Sequence, residues 1–594
     1  MASYTAPLRD MRFVLYELLE GDRLTGLPGY EDFTRDVIDP VLEEAGKICA
    51  EVLHPLNRSG DEEGCTLENG VVRTPAGFKT AYDLFRDGGW TALACDPAYG
   101  GQGLPAMVNI LVIEMICSAN LSFGMYPGLS QGAYEAVHGH GAQALKDRYL
   151  PRLVDGTWAG TMCLTEPHCG TDLGLLRTKA VPQEDGSYRV TGTKIFISAG
   201  DHDLTENIVH LVLARLPDAP KGIKGISLFL VPKVIPREDG GLGPRNGVTC
   251  ASIEHKMGIK ASSTCVLTFE DATGWLVGTP HKGMRAMFTM MNAARMAVGV
   301  QGLGVAEAAY QGAAAYARER LQGRALSGAK RPDLPADPLT VHADVRRMLL
   351  TQRASVEGCR ALAAWVAWHQ DLEMRHPDPR ARQEAGDFVA LMTPIVKALL
   401  SDLGFEGASL GVQVLGGHGY IREHGMEQYV RDARITQIYE GANGVQALDL
   451  VGRKLPANAG RSLRRFFHPV SAYIEASMDN DDLAPFVMPL AKAFTRLQQA
   501  TAQVARAGMA NPDEAGAAAS DYLRLFGLTA LAFLWTRMAE TALAKADDDP
   551  DGFYAAKVAT ARFFMDRMLP QSGALFSAVM AGGASMMDFD EAAF

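Results

Sequence analysis

The chain has little of what marks exported, membrane-bound or nucleic-acid-binding proteins. Its nine cysteines include no CxxC pair, so neither a disulfide framework nor a cysteine zinc site is expected. Acidic residues outnumber basic ones, 69 to 57, which argues against neutralising nucleic-acid phosphates as its main role. Arg9, Asp10 and Arg12 stand where a signal peptide needs an apolar core. We therefore expect a cytoplasmic protein with no nucleic-acid partner.

Long uninterrupted runs of uncharged apolar residues and common catalytic motifs are missing as well. The richest apolar run, 296–306, is closed by Arg295 and Glu307, short of the roughly 18 residues that a membrane helix needs. We therefore expect no membrane partner. The segment 323–330 has P-loop glycine spacing, but Ala329 precedes its lysine and it links two helices rather than following a strand. Without an HExxH sequence, no metal site is predicted.

The composition is that of an ordinary globular protein, and the pattern of apolar residues changes along the chain. Hydrophobic residues make up 47% and charged residues 21%, as in folded proteins. Residues 31–154 have helical spacing, 158–278 have alternating or β-branched runs, and helical periodicity returns at 283. We predict a mostly α fold with an N-terminal helical domain, a middle β domain, a C-terminal helix bundle and an extra C-terminal helical domain.

These changes of texture predict the domain boundaries. The predicted parts are an N-terminal helical extension (1–36), an N-terminal helical domain (37–155), a middle β domain (156–280), a four-helix bundle domain (281–455) and a C-terminal helical extension (456–594).

The strongest candidate for chemistry is the carboxylate of Glu440. The apolar-rich run 435–439 leads into it, and Gly441 lets backbone or a ligand approach closely. Neighbours that exclude water would raise the pKa of such a carboxylate toward the range that a general base needs. Taken alone, a surface glutamate near a helix end is the commoner interpretation.

A series of motifs in a fixed order decides between these interpretations. They are MCLTEPHCGTD (162–172), KIFISAG (194–200), KMG (256–258), NAAR (292–295), YARERLQ (316–322), QVLGGHG (413–419) and IYEG (438–441). Together with the layout, this order resembles the acyl-CoA dehydrogenase family over residues 40–455. The resemblance implies an enzyme that uses FAD to dehydrogenate an acyl-CoA between its α and β carbons.

The resemblance also implies roles for residues at the substrate. Glu440 matches the base that removes the α-proton while the β-hydride passes to flavin N5. Its backbone N–H is expected to help hold the thioester carbonyl. Some family members carry the base elsewhere, and Ala294 stands at that position here, where it cannot accept a proton. The remaining expected substrate contacts are Thr171, Asn292, Arg295, Tyr439 and Gly441.

An FAD site is implied in the same way. The expected cofactor contacts are Met162, Leu164, Thr165, Gly170, Thr171, Phe196, Ser198, Arg320, Gln322, Gln413, Gly416, Gly417 and Asn443. In the family, the bundle segments reach the FAD of a neighbouring subunit, so a homodimer is expected. The family usually has Trp and Thr where this chain has Phe196 and Ser198, a difference expected to change flavin redox tuning more than binding.

The extra residues at both ends bear on the substrate. In this respect the chain resembles long family members that act on 3-(methylthio)propanoyl-CoA in dimethylsulfoniopropionate catabolism. We expect a short acyl-CoA, preferentially this thioester, to be converted to 3-(methylthio)acryloyl-CoA, with an electron-transfer flavoprotein as acceptor. The alternatives are a general short-, medium- or long-chain acyl-CoA dehydrogenase, an acyl-CoA oxidase, and a non-catalytic DNA-associated member of the same fold.

Overall fold

The computed structural model describes residues 4–594, in which helices precede and follow a region of strands. The helices are α1 (Leu8–Arg12), α2 (Arg35–Ile48), α3 (Pro55–Glu63), α4 (Phe78–Asp87), α5 (Ala106–His140), α6 (Gln143–Val154), α7 (Gly283–Glu319), α8 (Ala343–Arg375), α9 (Pro379–Leu415), α10 (Gly417–Tyr420), α11 (Met426–Arg434), α12 (Asn443–Asp449), α13 (Arg461–Ser477), α14 (Ala484–Ala510), α15 (Pro512–Leu543), α16 (Phe553–Phe563), α17 (Gln571–Ala581) and α18 (Ala584–Met587). The strands are β1 (Thr66–Glu68), β2 (Val71–Arg73), β3 (Trp158–Cys163), β4 (Lys179–Pro182), β5 (Tyr188–Ser198), β6 (Asn207–Arg215), β7 (Ile226–Pro232), β8 (Val234–Pro236), β9 (Leu242–Arg245), β10 (Val248–Ile253) and β11 (Thr264–Val277). The predicted order of helices, strands, helices and further helices is confirmed.

The described chain forms two compact units. The bundle unit comprises 4–46, Pro105–Ser118 and Val298–Phe594, and the sheet unit comprises Lys47–Leu104 and Ala119–Ala297. The C-terminal helices α13–α18 therefore belong with the bundle rather than forming a unit of their own.

A seven-stranded sheet forms the centre of the sheet unit. Its order is β10-β11-β5-β4-β6-β3, and β7 pairs with both β11 and β6. β3 runs parallel to β6, whereas β5, β7 and β10 pair antiparallel to β11. β6 and β7 are buried almost from end to end, because both of their faces are covered. This burial explains why their sequences are continuous apolar runs.

A small hairpin within the predicted N-terminal helical region corrects that prediction. β1 and β2 pair antiparallel around Asn69 and Gly70, whose φ angles are +51° and +76°. Two consecutive left-handed residues form the turn that matches the twist of a hairpin, and Asn-Gly is its most typical sequence. The dipeptide was the signal that could have predicted these strands.

In the bundle unit, glycines bring α7 and α9 into backbone contact. A Cβ at Gly302 would lie 2.7 Å from the carbonyl oxygen of Leu400, and a Cβ at Gly404 would lie 2.5 Å from the carbonyl oxygen of Gly302. Neither distance is compatible with a side chain. This close packing fixes the position of α9, the helix to which the turn of the candidate site is anchored.

Three helices, α5, α9 and α15, are long and apolar enough to cross a membrane, which the search for uncharged runs did not predict. Between 78% and 83% of the apolar window of each helix is buried inside the protein. Their apolar side chains are therefore already used in packing. The absence of a membrane partner stays a prediction.

A buried network of charges joins α1, the bundle and the C-terminal helices. It consists of Arg360 and Lys557 with the carboxylates of Asp10, Glu114, Glu307 and Glu357. The guanidinium of Arg360 lies 2.6 Å from Glu307 and donates from Nε to both Glu114 oxygens at 3.0 Å. Lys557 of α16 bonds Glu357 at 2.5 Å and also contacts Asp10 of α1. Buried charges need such partners, since an unpaired one is very costly.

A second buried carboxylate, Asp371, caps the start of α5. Its oxygens accept hydrogen bonds from the backbone N–H groups of Ala106 at 2.7 Å and Met107 at 2.9 Å, and from the Tyr30 hydroxyl at 2.9 Å. Burial raises the pKa of Asp371 to about 7 despite these bonds. The side chain is therefore protonated in the folded protein at a pH where an unfolded aspartate is ionised.

Asp371 is expected to make stability depend on pH. Its pKa is raised from 3.8 to about 7 on folding. Protonation of Asp371 therefore contributes fully to the free energy of unfolding below pH 3.8, and this contribution is lost as the pH rises to about 7. The difference in unfolding free energy between wild type and Asp371→Asn should change over that range by up to about 1.4 kcal/mol per pH unit. Denaturant titrations at several pH values measure this difference. A constant difference would contradict the prediction.

Candidate active site

Glu440 occupies a strained turn in the segment that joins α11 to α12. Its φ is +57° and that of Gly441 is +86°, so both residues are left-handed. For a residue with a side chain, this conformation costs about 1–2 kcal/mol, and such strain concentrates at functional sites. The side chain is half-buried. Glu20, an exposed glutamate at a helix end, is also left-handed, so it is the half-burial and the following left-handed Gly441 that set Glu440 apart.

The neighbours of Glu440 hold this turn through hydrogen bonds. The side-chain amide of Gln446, in α12, donates to the carbonyl oxygens of Glu440 and Gly441, each at 3.1 Å. On the other side, the Tyr439 hydroxyl donates to the side-chain oxygen of Gln301 in α7. Burial raises the pKa of Tyr439 well above its ordinary value, so the phenol stays neutral.

Asn443 anchors the same turn to α9. Its side-chain oxygen accepts from Lys397 Nζ at 2.7 Å, and its side-chain nitrogen donates to Asp402 at 2.7 Å and to Ser401 at 2.9 Å. These partners use the hydrogen-bonding capacity of the amide. The predicted contact of Asn443 with the cofactor is untested, and the structure gives its side chain a role in holding the loop.

The other predicted cofactor residues of the bundle unit lie exposed on two nearby segments. These residues are Arg320, Gln322, Gln413, Gly416 and Gly417. Tyr316, one turn before Arg320, bonds His418 through its hydroxyl at 2.7 Å and so joins the end of α7 to the segment after α9. The loop after α7 is folded around the buried Asp337, which accepts from the backbone N–H groups of Ala325, Lys330 and Arg331.

In the sheet unit, the two predicted flavin segments lie side by side. The backbone N–H of Ile195 donates to the carbonyl oxygen of Thr165 at 2.9 Å. Phe196 follows with a φ of +59°, and 59% of its surface is exposed. An exposed aromatic ring on a strained backbone has no packing role within the unit, whereas it suits contact with a planar ligand. Met162, Thr165 and Ser198 are half-buried, Leu164 is buried, and Gly170 and Thr171 are exposed.

A buried ion pair connects these two segments. Lys194 Nζ donates to Glu166 at 2.8 Å and to the carbonyl oxygen of Leu164 at 2.9 Å. Glu166 also accepts from the backbone N–H of Arg177 at 2.7 Å and from the hydroxyl of Thr178 at 2.6 Å, which closes the loop that carries Gly170 and Thr171. Burial lowers the pKa of the Lys194 ammonium and the Glu166 carboxylate opposes that change.

Glu166, His168 and Cys169 also place three potential metal ligands within 4.8 Å of one another. The carboxylate of Glu166 is already bonded to an ammonium group and three other donors. A cation would have to displace Lys194, which is fully buried, so this cluster is explained by the ion pair.

The predicted substrate residues Asn292 and Arg295 lie on the part of α7 that belongs to the sheet unit. Arg295 is buried, and its Nη1 lies 3.4 Å from the side-chain oxygen of Asn292, which is exposed. The guanidinium also lies 5.9 Å from the centre of the Phe288 ring. Thr171, Asn292 and Arg295 thus belong to the sheet unit, whereas Tyr439, Glu440 and Gly441 belong to the bundle unit.

Comparison with known proteins shows which family has these domains. Residues 39–157, 161–272 and 281–455 match the family models of the acyl-CoA dehydrogenase N-terminal, middle and C-terminal domains, and residues 466–590 match the acetyl-CoA dehydrogenase C-terminal-like model. The chain is 43% identical to 3-methylmercaptopropionyl-CoA dehydrogenase of Ruegeria pomeroyi, over 98% of this chain and 99% of that one. The chain belongs to the acyl-CoA dehydrogenase family.

Two further relatives of this acyl-CoA dehydrogenase are informative. A butyryl-CoA dehydrogenase of Syntrophomonas wolfei is 33% identical over all of this chain and 99% of its own. The acyl-CoA dehydrogenase of Bacillus anthracis, solved in complex with FAD, superimposes with a TM-score of 0.75 at 20% identity, covering 93% of this chain and 89% of that one, and shows the fold. Both match the C-terminal helices as well as the family core.

The enzyme is an FAD-dependent oxidoreductase, as its family is. Its own residues fit that cofactor. In the sheet unit, the exposed aromatic face of Phe196, the half-buried hydroxyl of Thr165 and the exposed Gly170 suit a flavin ring face, its edge and its phosphates. At Gly416 and Gly417, an added Cβ would meet no atom within 4 Å, so these glycines leave open space rather than fill a packed core.

Sequence reasoning missed the residues that hold the predicted ones. Lys194 opened one of the recognised motifs and Glu166 lay within another, but nothing in the sequence paired them across 28 positions. Gln446 and Lys397 likewise carried no signal of their own. A buried polar residue in an otherwise apolar helix was the only available clue.

Replacing Lys194 tests whether the ion pair supports the cofactor. Lys194→Met leaves Glu166 buried without its cation, which typically costs about 3–5 kcal/mol, and frees the carbonyl of Leu164. We expect a lower melting temperature of the FAD-free protein and an FAD affinity at least about tenfold weaker, measured by fluorescence titration.

A variant that removes both charges is the matched control. Glu166→Gln combined with Lys194→Met leaves no buried unpaired charge and is expected to regain stability. Unchanged FAD affinity in the single variant would contradict a supporting role for the pair.

Proposed function

We propose that this enzyme converts 3-(methylthio)propanoyl-CoA to 3-(methylthio)acryloyl-CoA, with Glu440 as the base. The observation that carries the assignment of the base is the half-buried carboxylate of Glu440 on a turn of two consecutive left-handed residues, Glu440 and Gly441. It coincides with the position that matches the family's base, and Ala294 removes the alternative position.

In this proposal the half-buried carboxylate of Glu440 takes the proton from the α-carbon of the thioester. Bound FAD supplies the acceptor for the β-hydride. The backbone N–H of Glu440 donates to the thioester carbonyl oxygen and stabilises the negative charge that develops there. The neutral phenol of Tyr439, bonded to Gln301, keeps the residue before the base in place. Partial burial excludes water that would compete for the proton.

Similarity over the whole chain supports the choice of substrate. The identity of 43% with the Ruegeria pomeroyi enzyme extends over 98% of this chain and therefore includes the C-terminal helices. The butyryl-CoA dehydrogenase of Syntrophomonas wolfei, at 33% over the same extent, supports a short acyl chain more generally. The 3-(methylthio)propanoyl chain is one atom longer than butyryl, because its sulfur stands where a pentanoyl chain has a methylene.

The proposal includes a homodimer in the cytoplasm and an electron-transfer flavoprotein as electron acceptor. The exposed segments at Arg320 and at Gln413–Gly417 support the dimer, because in the family such segments bind the cofactor of a neighbouring subunit. The composition, with more acidic than basic residues, argues against a nucleic-acid partner.

Replacing the base tests the mechanism. Glu440→Gln keeps the size of the side chain but cannot accept the proton, so turnover is expected to fall by about 10²-fold or more. FAD content and the change in flavin absorbance on binding product are expected to stay as in wild type. Glu406→Gln, at an exposed glutamate of α9 paired with Arg524, is the control and should keep full activity. Near-normal turnover in Glu440→Gln would reject the base.

A panel of thioesters tests the substrate. The rate of anaerobic flavin bleaching by propanoyl-, butyryl-, 3-(methylthio)propanoyl-, octanoyl- and palmitoyl-CoA gives the second-order rate constant of flavin reduction for each thioester. The 3-(methylthio)propanoyl thioester is expected to give the largest value, with butyryl-CoA next. A larger value for octanoyl- or palmitoyl-CoA would overturn the assignment. Hydrogen peroxide formed in air at the rate of turnover would indicate an oxidase.

A further inference from the structure

Gln446 is a buried amide that faces the two carbonyl groups of the candidate catalytic turn. It lies in α12 and is fully buried. Its Nε2 is 3.1 Å from the carbonyl oxygen of Glu440 and 3.1 Å from that of Gly441. One side chain thus donates to two successive carbonyl groups. Because of the left-handed turn, neither carbonyl belongs to the hydrogen-bond pattern of a helix or strand.

The orientation of this amide follows from its surroundings. Its oxygen, Oε1, is buried and has no hydrogen-bond partner among residues 4–594. The opposite orientation would place Oε1 against two carbonyl oxygens, where three acceptors would repel one another. The amide therefore leaves one acceptor unsatisfied in order to donate twice to the turn. An unsatisfied buried acceptor costs about 1–3 kcal/mol, which offsets part of what the two hydrogen bonds contribute.

Gly441 lies close to this amide, and its φ of +86° is one that residues with a side chain rarely adopt. A Cβ at Gly441 would be 2.6 Å from Nε2 of Gln446. The turn is also tied to α9 from its other end, because Asn443 begins α12 and bonds Lys397, Ser401 and Asp402. A continuous set of contacts therefore runs from α9 through α12 to the backbone of Glu440.

We propose that Gln446 is the positioning residue of the catalytic base. By holding the carbonyl of Glu440, it fixes the ψ angle of that residue in a conformation that costs about 1–2 kcal/mol, and with it the direction of the carboxylate and of the backbone N–H. Without the two hydrogen bonds, the turn relaxes toward the commoner right-handed or extended conformations. The inference rests on the proposed role of Glu440, and its experiment separates the two.

Gln352 offers a matched control. It is also a fully buried glutamine in a helix, α8, its Nε2 also donates to a backbone carbonyl, that of Met348 at 3.3 Å, and its Oε1 is also without a partner among the described residues. Gln446→Met and Gln352→Met therefore remove the same group from the same kind of environment. Only the first touches the backbone of Glu440.

The experiment compares kcat, KM and melting temperature of the two variants, as full-length FAD-loaded protein, with 3-(methylthio)propanoyl-CoA and butyryl-CoA. We expect both variants to lose similar stability. Gln446→Met should lower kcat by about 10- to 100-fold with KM changed less than about threefold, because positioning acts on the transition state. Gln352→Met should keep kcat within about twofold of wild type.

A charge-changing variant gives a second measurement if Gln446→Met does not fold. Gln446→Glu carries a carboxyl group that donates a hydrogen bond only when protonated. The kcat of this variant is expected to fall as the pH rises, because the carboxyl group loses its proton. The wild-type kcat depends on an ionised base, so it is not expected to fall as the pH rises. A pH profile with the wild-type shape would overturn the proposal.

The outcomes also distinguish this inference from the function on which it rests. If Glu440→Gln abolishes turnover but Gln446→Met has the same kcat as Gln352→Met, the base is right and the positioning role is wrong. If Glu440→Gln retains turnover, the assignment of the base fails and the positioning role fails with it.

Discussion

The buried charge network around Arg360 is the constraint on which the bundle unit depends. One guanidinium contacts carboxylates from α1, α5 and α7, and Lys557 of α16 contacts Asp10 and Glu357, so two cations serve four carboxylates. Removing either cation leaves buried carboxylates without a partner, at a cost comparable to a large part of the stability of a domain. The C-terminal helices are therefore integral to this enzyme rather than an addition to a self-sufficient core.

Buried polar groups also fix the geometry around the candidate active site. The predicted functional residues themselves are strained or exposed, as Glu440 and Phe196 show by their left-handed backbones. What holds them is a set of buried polar groups: Lys194 and Glu166 in the sheet unit, and Gln446, Asn443 and Lys397 in the bundle unit. Such groups are expensive to bury and are retained where they fix a geometry.

The sequence predicted the order of domains and the family because those depend on local signals, namely hydrophobic periodicity and short motifs. The strands β6 and β7 and the helices α8 and α9 follow directly from apolar patterning. The hairpin at Asn69 and Gly70 was missed because helical spacing on either side outweighed a two-residue signal. The membrane-length windows were missed because polar, small or charged residues interrupt each apolar run, although the mean hydropathy of the window is high.

The candidate site could be predicted only as a set of residue types. Glu440 was marked by its motif, but its left-handed conformation depends on contacts with Gln446 and, through Asn443, with α9, which no local pattern encodes. The partners of Lys194 and Arg360 likewise lie tens to hundreds of positions away. Pairing across such separations is a property of the fold, so single-sequence reasoning gives the residues and not their neighbours.

The two ends of the charge network have a consequence for how the protein is made. Asp10 is synthesised 547 positions before its partner Lys557. The sheet unit, by contrast, is complete in sequence at Ala297. During synthesis, the sheet unit can therefore fold before Lys557 exists, and a ribosome that stalls before Lys557 would release a chain in which Asp10 and Glu357 lack that ammonium group.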